Sequence, residues 1–178
     1  MKPLFVISCP IDTYSGYGSR SRDLVKSIIE LNKYDVKIIP QRWGNTPWNF
    51  IEDHKEEWGF LIPYIMTSQL TQQPDIWAQI TVPNEFQPIG KYNIGITAGI
   101  ETTVCAPQWI EGMNRMNLNL VSSEHSKKVF LETQFENEEF MKEFDTGYMD
   151  ARLNQLHSEV VEAQKLAAKS GEEYQAAQ

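Results

Sequence analysis

The chain has 178 residues, 41% of them apolar and 22% charged, with a net charge of −8. That length supports a core of ordinary size, and that composition excludes a disordered or fibrous chain. An acidic chain without a basic stripe is also poorly built to grip nucleic acid through its phosphates, so no nucleic-acid partner is expected.

The charge is uneven. Residues 1–133 carry 14 acidic and 12 basic side chains, whereas residues 134–178 carry 10 and 4. This shift sets the expected boundary between an α/β domain over 1–133 and an acidic helical tail over 134–178. No apolar run approaches the roughly 18 residues of a membrane span. Met1 to Cys9 lacks the flanks of a signal peptide, so a soluble, cytoplasmic protein is expected. Cys9 and Cys105 have neither a CxxC partner nor a nearby histidine pair, and no metal site or disulfide framework is expected.

The first predicted element is a strand at Leu4–Cys9, a continuous apolar run of the kind that is buried on both faces. Pro10 ends it, and Asp12, Ser15, Gly16 and Gly18 give the next segment turn chemistry. A helix is predicted from Ser19, with Leu24, Ile28 and Leu31 as its apolar stripe and Val25 and Ile29 widening it. Val36–Ile39 is the second strand, stopped by Pro40, which completes a βαβ unit. Trp43 to Trp48 reads as a loop, and Phe50–Trp58 and Ile62–Leu70 as short helices. Further strands are predicted at 75–82, 92–97 and 117–122. Helices are predicted at Pro107–Met116, with proline in the first turn, and at Lys127–Thr133. The alternation predicts an α/β fold with a doubly wound, mostly parallel, Rossmann-like sheet.

In the tail, Met149, Leu153, Leu156, Val160, Ala163 and Ala167 alternate steps of four and three. Such a seam suits a terminal helix packing on its own domain, or self-association or partner binding through residues 149–170.

Three segments carry candidate chemistry. The loop Ser15 to Arg22 opens the first helix, where free N–H groups and glycines let a backbone approach an anion. Arg20 and Arg22 can add charge-assisted bonds. The run departs from both GxGxxG and the Walker pattern, and its glycines equally suit a tight turn. Asn84 and Glu85 follow the third strand, where doubly wound sheets bind their ligands, and can contact a hydroxylated ligand or simply face water. Glu101 follows the fourth strand, as a general base for a hydroxyl or as a cap or ion-pair partner. His54, His125 and His157 are scattered and read as surface or helix-end residues, and Ser8 and Ser123 lack a GxSxG context.

These pieces, in this order, resemble the acceptor-side domain of GT-B glycosyltransferases. The residues that carry the resemblance are Ser8-Cys9-Pro10 leading to Gly16-Tyr17-Gly18, then Pro83-Asn84-Glu85-Phe86. The run Asn93 to Glu101, Pro107-Gln108-Trp109, Met113-Asn114 and Val121 to Phe130 follow. The resemblance covers about residues 1–133. It implies transfer of a sugar from a nucleotide-sugar donor, as substrate, to an acceptor hydroxyl, with no bound metal or other cofactor. It places Gly16, Gly18 and Arg20 against the donor phosphates, Asn84 and Glu85 toward the acceptor, and Glu101 at the reacting centre. Many relatives carry a histidine near the position of Ala98 or Gly99, and this chain does not. A GT-B enzyme also needs a second Rossmann domain, which residues 134–178 are too few to build. The chain is therefore expected to be a piece of a longer enzyme, to work with a partner that supplies the donor domain, or to be a non-catalytic module associating through its tail. A stand-alone dinucleotide-binding protein is the remaining reading. It is opposed by the missing ribose-binding acid after the second strand, where Gln41 stands.

Overall fold

A computed structural model describes residues 2–134. The readings made for the tail, including the heptad seam and His157, lie outside the described residues. Five strands form one all-parallel sheet in the order β2-β1-β3-β4-β5. They are β1 (Leu4–Cys9), β2 (Asp35–Pro40), β3 (Ile76–Ile80), β4 (Tyr92–Thr97) and β5 (Leu118–Val121). The predicted α/β class and all five predicted strands are present. Pro10 follows β1 directly and Pro40 is the last residue of β2, so both strands end at a proline, which has no N–H to give the ladder.

The first helix, α1 (Gly16–Glu30), starts three residues before the predicted Ser19. Ser15 is its cap, and its hydroxyl accepts the Gly18 N–H at 2.9 Å. Both glycines therefore lie in the first helical turn, not in a free loop. The buried stripe is Gly18, Ser21, Arg22, Val25 and Ile28. Leu31, predicted to continue the stripe, is 56% exposed. The helix ends at Glu30, and Asn32 turns the chain away with a φ of +52°.

After β2 the predicted helix at 50–58 forms as two single turns, α2 (Phe50–Asp53) and α3 (Lys55–Trp58), broken at His54. The predicted helix at Ile62–Leu70 does not form. A 3-10 segment over Gly59–Tyr64 takes its start and contains Pro63, which lacks the N–H an α-helix needs. Ile65 then pairs in parallel with Ile38, and the Met66 N–H donates to the Ile38 carbonyl at 2.9 Å. With Ile65 counted as a one-residue strand outside β2, the positions across the sheet follow the Rossmann order 3-2-1-4-5-6.

The chain reverses its direction of travel between β1 and β3, so its connections cover opposite faces. One face is covered by α1, α2, α3 and the 3-10 segment, which bury Ile7, Ile38, Val25 and Leu61. The other carries α4 (Pro107–Asn114) and α5 (Glu124–Glu132). There Trp109, Ile110 and Met113 pack with Val129, Phe130 and Val121. Pro107 sits in the first turn of α4 as predicted. A Cβ on Gly112 would collide with the Pro83 carbonyl, so glycine lets α4 lie against the turn after β3. Helix α5 starts at Glu124, earlier than Lys127, because the Ser123 hydroxyl caps it by accepting the Ser126 N–H at 3.0 Å.

Candidate functional site

The six predicted site residues all lie on segments that leave the carboxyl edge of the sheet, where open α/β folds bind their ligands. Their surroundings differ. Gly16 is open, and a Cβ built on it would meet nothing within 4 Å. Gly18 is buried, and a Cβ there would collide with the Thr13 backbone and lie 2.7 Å from the Thr13 hydroxyl. Gly18 therefore serves the close packing of α1 on the loop after β1.

The two arginines of the segment also separate. Arg20 is exposed and lines a cleft. Arg22 is buried and braces the loop. Its guanidinium donates to the carbonyls of Ile11 at 2.9 Å and Thr13 at 3.0 Å and lies 3.5 Å from the centre of the Phe50 ring. Burial holds its pKa below that of a free guanidinium, opposed by the carboxylates of Asp23 and Asp12.

Tyr17, between the two glycines, is the residue on which the edge converges. Its hydroxyl accepts the Ala98 N–H at 3.0 Å and lies 3.1 Å from the Thr97 hydroxyl. It thereby ties the start of α1 to the end of β4. Its ring stacks on Trp43 at 4.0 Å between centroids, with the planes 23° apart. This pair links two clefts. The first, of about 360 Å³, has Gly16, Tyr17, Arg20, Thr97 and Ser122 among its polar and open lining and Leu24, Ile80, Ile96 and Leu120 as its apolar wall. The second, of about 410 Å³, is lined by Arg42, Trp43, Gly44, Asn45 and Thr46 from the loop after β2 and by Val82 and Glu85 after β3.

Glu85 is exposed, and its carboxylate accepts the hydroxyl hydrogen of Thr81. Its backbone is held by Gln79, whose side-chain amide donates to the Glu85 carbonyl at 3.0 Å. Asn84 is exposed beside it but does not line the second cleft, and its carbonyl is taken by Arg115 at 2.9 Å. Glu101 is exposed on the loop after β4 and lines neither cleft. The base of that loop is fixed. The Ala98 carbonyl accepts the hydroxyls of Ser122 at 2.7 Å and Ser126 at 3.2 Å, and Gly99 takes a φ of +95° with its missing Cβ filled by Ser126.

The structure thus brings Gly16 and Arg20 together at one cleft and Glu85 to its neighbour, while Gly18 faces the interior. Tyr17, Trp43, Arg42, Thr97 and Ser122 were not singled out from the sequence. The signal for Trp43 was present: an aromatic three residues after a proline-stopped strand lies on the ligand-binding edge of such a sheet. Among the described residues, no group of three or more His, Cys, Asp or Glu is placed to hold a metal, and no helix is long and apolar enough to cross a membrane. Of the histidines, His54 stacks on Phe50 at the surface and His125 is exposed in α5. Comparison with known proteins adds no relative: no family model, no curated protein and no solved structure matches this chain.

Proposed function

We propose that this domain is the acceptor-side half of a GT-B-type glycosyltransferase, moving a sugar from a nucleotide-sugar donor to an acceptor hydroxyl together with a second nucleotide-binding domain. The observation that carries the reading is the pair of adjoining clefts on the carboxyl edge, meeting at Tyr17 and Trp43. The first suits a diphosphate. The N–H groups of Gly16 and Tyr17, in the first turn of a 15-residue helix, have no intrahelical acceptor, and Arg20 adds a full charge. The second suits a polyol, with Glu85 to accept from a hydroxyl.

In the reaction, the acceptor oxygen bonds to the anomeric carbon of the donor as the bond from that carbon to the diphosphate breaks. The hydroxyl proton passes to a base, and the nucleoside diphosphate leaves with the bonding pair. Charge grows on the leaving diphosphate, where the start of α1 and Arg20 stabilise it. Glu101 is the proposed base; it is exposed on the loop whose root Tyr17 holds and lines neither cleft, so this role would need that loop to carry it to the acceptor.

Saturation-transfer NMR with a panel of nucleotide sugars tests this reading. Binding is expected, and Arg20→Ala should weaken it by about tenfold, the worth of one good charge-assisted contact. If no nucleotide sugar binds, with or without a separate donor domain, the reading falls.

A further inference from the structure

We propose that the loop Arg42–Thr46 is the specificity-determining wall of the acceptor site, and that the cleft it forms with Glu85 takes a neutral, polyhydroxylated ring. The inference rests on the sugar-transfer reading and adds to it the residues that choose the acceptor.

The loop is built in advance of any ligand. The Thr46 N–H donates to the Trp43 carbonyl at 3.0 Å and the Thr46 hydroxyl closes onto the same oxygen. Gly44 takes the left-handed φ of +52° that this turn needs. Beyond the turn, Trp48 pairs with Thr13, and the Pro47 carbonyl accepts the Tyr14 N–H at 3.0 Å. The loop is thus fastened to the segment after β1. Trp43 is fixed again by its stack on Tyr17. A ring held this way costs little entropy to use as a binding platform.

The chemistry around it selects the ligand class. A sugar ring offers a C–H face to an aromatic side chain and hydroxyls that both donate and accept. The cleft supplies an indole at Trp43, an acceptor at Glu85, a guanidinium at Arg42 and an amide at Asn45. Among the described residues Arg42 and Glu85 are in no salt bridge: Glu85 accepts the Thr81 hydroxyl hydrogen with one carboxylate oxygen, which leaves the other for a ligand, and the Arg42 guanidinium lies 5.4 Å from the centre of the Trp48 ring. A phosphate would be repelled by Glu85. A purely apolar ligand would strip water from both charges without replacing it. A neutral polyol meets each group.

The test is titration of the full chain with neutral disaccharides and aryl glycosides, followed by saturation-transfer NMR, alongside uridine- and guanosine-diphosphate sugars. Trp43→Ala and Glu85→Gln should each weaken the neutral sugar by about tenfold or more, as a central aromatic or charged contact does. Trp43→Phe, which keeps the platform, should stay within about threefold of the parent. Glu85→Gln is an exposed, nearly isosteric change, so it reports on the cleft even where Trp43→Ala fails to fold. Neutral sugars that bind all of these variants as well as the parent would overturn the inference. So would the absence of any neutral-sugar binding. In that second case, retained binding of the nucleotide sugars would leave the sugar-transfer reading standing, and its loss would remove both.

Discussion

One row of side chains crosses the sheet on the α1 face: Ile38, Ile7, Ala78, Ile94 and Leu118, aligned by the strand register. At the β2 end Ile38 and Ile7 are 0% exposed, whereas at the β5 end Leu118 is 40% exposed. The next row behaves alike, from Ile80 at 1% through Ile96 at 7% to Leu120 at 42%. Among the described residues, the same face of the same sheet is a packed core over β2, β1 and β3 and a half-exposed apolar surface over β5. The first 65 residues supply α1, α2, α3 and the 3-10 segment that cover the packed half. The open half adjoins the first cleft, which borrows its wall from Ile80, Ile96 and Leu120. The packed core and the wall of the first cleft thus occupy opposite ends of one sheet face.

The strongest way to break that comparison is to truncate one side chain in each half. Ile7→Ala should cost about 2–5 kcal/mol, the usual range for a cavity in a filled core. Leu120→Ala should cost less than about 1 kcal/mol, since much of that side chain is already in water. Urea unfolding of the two variants measures both. Equal losses would show that the described domain is uniformly packed, against the exposure gradient.

A smaller effect separates the two glycines of α1. Gly18→Ala pushes a methyl group into the Thr13 backbone of the packed half and should cost about 1–3 kcal/mol. Gly16→Ala points into open space and should be neutral, or stabilising by up to about 1 kcal/mol from helix propensity. A reversed order, read from thermal melts, would mean that Gly18 rather than Gly16 faces the cleft.

The smallest effect at neutral pH concerns Cys9, in the packed half. Burial pushes its thiol from the usual 9.0 up to about 12, against small opposing contributions from Ser21, Ile11 and Arg22. Because the unfolded thiol ionises first, the stability linked to this group is complete below about pH 9 and drains away as the pH rises toward 12. The melting temperature of the parent should therefore fall more steeply with alkali than that of Cys9→Ala. Parallel curves would place Cys9 in contact with water.

The elements were legible in the sequence to a degree that the site was not. Continuous apolar runs closed by Pro10 and Pro40 marked β1 and β2, and Pro107 marked α4, because proline and burial period act within a few residues of themselves. The misread helix at 62–70 has the same kind of cause in reverse. Its apolar residues suit a helix, but Pro63 and the pairing of Ile65 with Ile38 favour an extended chain, and that pairing is long-range. In the site, the run from Gly16 to Arg22 looked like one anion loop. The structure divides it by helical phase: Gly16 and Arg20 face the cleft, while Gly18 and Arg22 face the interior. Once Ser15 is recognised as the cap, the period of 3.6 predicts that division.

The class of the fold, its five strands and the edge on which the candidate residues gather can all be read from the chain without its tertiary contacts. Those follow from propensity, period and chain breaks, which are local. Tertiary packing alone joins Tyr17 to Trp43, Thr97 and Ala98, sets Arg42 to Thr46 opposite Glu85, and leaves Leu118 and Leu120 of β5 about two-fifths exposed where no helix of the described residues covers them. These contacts join residues from 26 to 81 positions apart. Their existence depends on strand order, register and crossover side, which no short stretch of sequence contains.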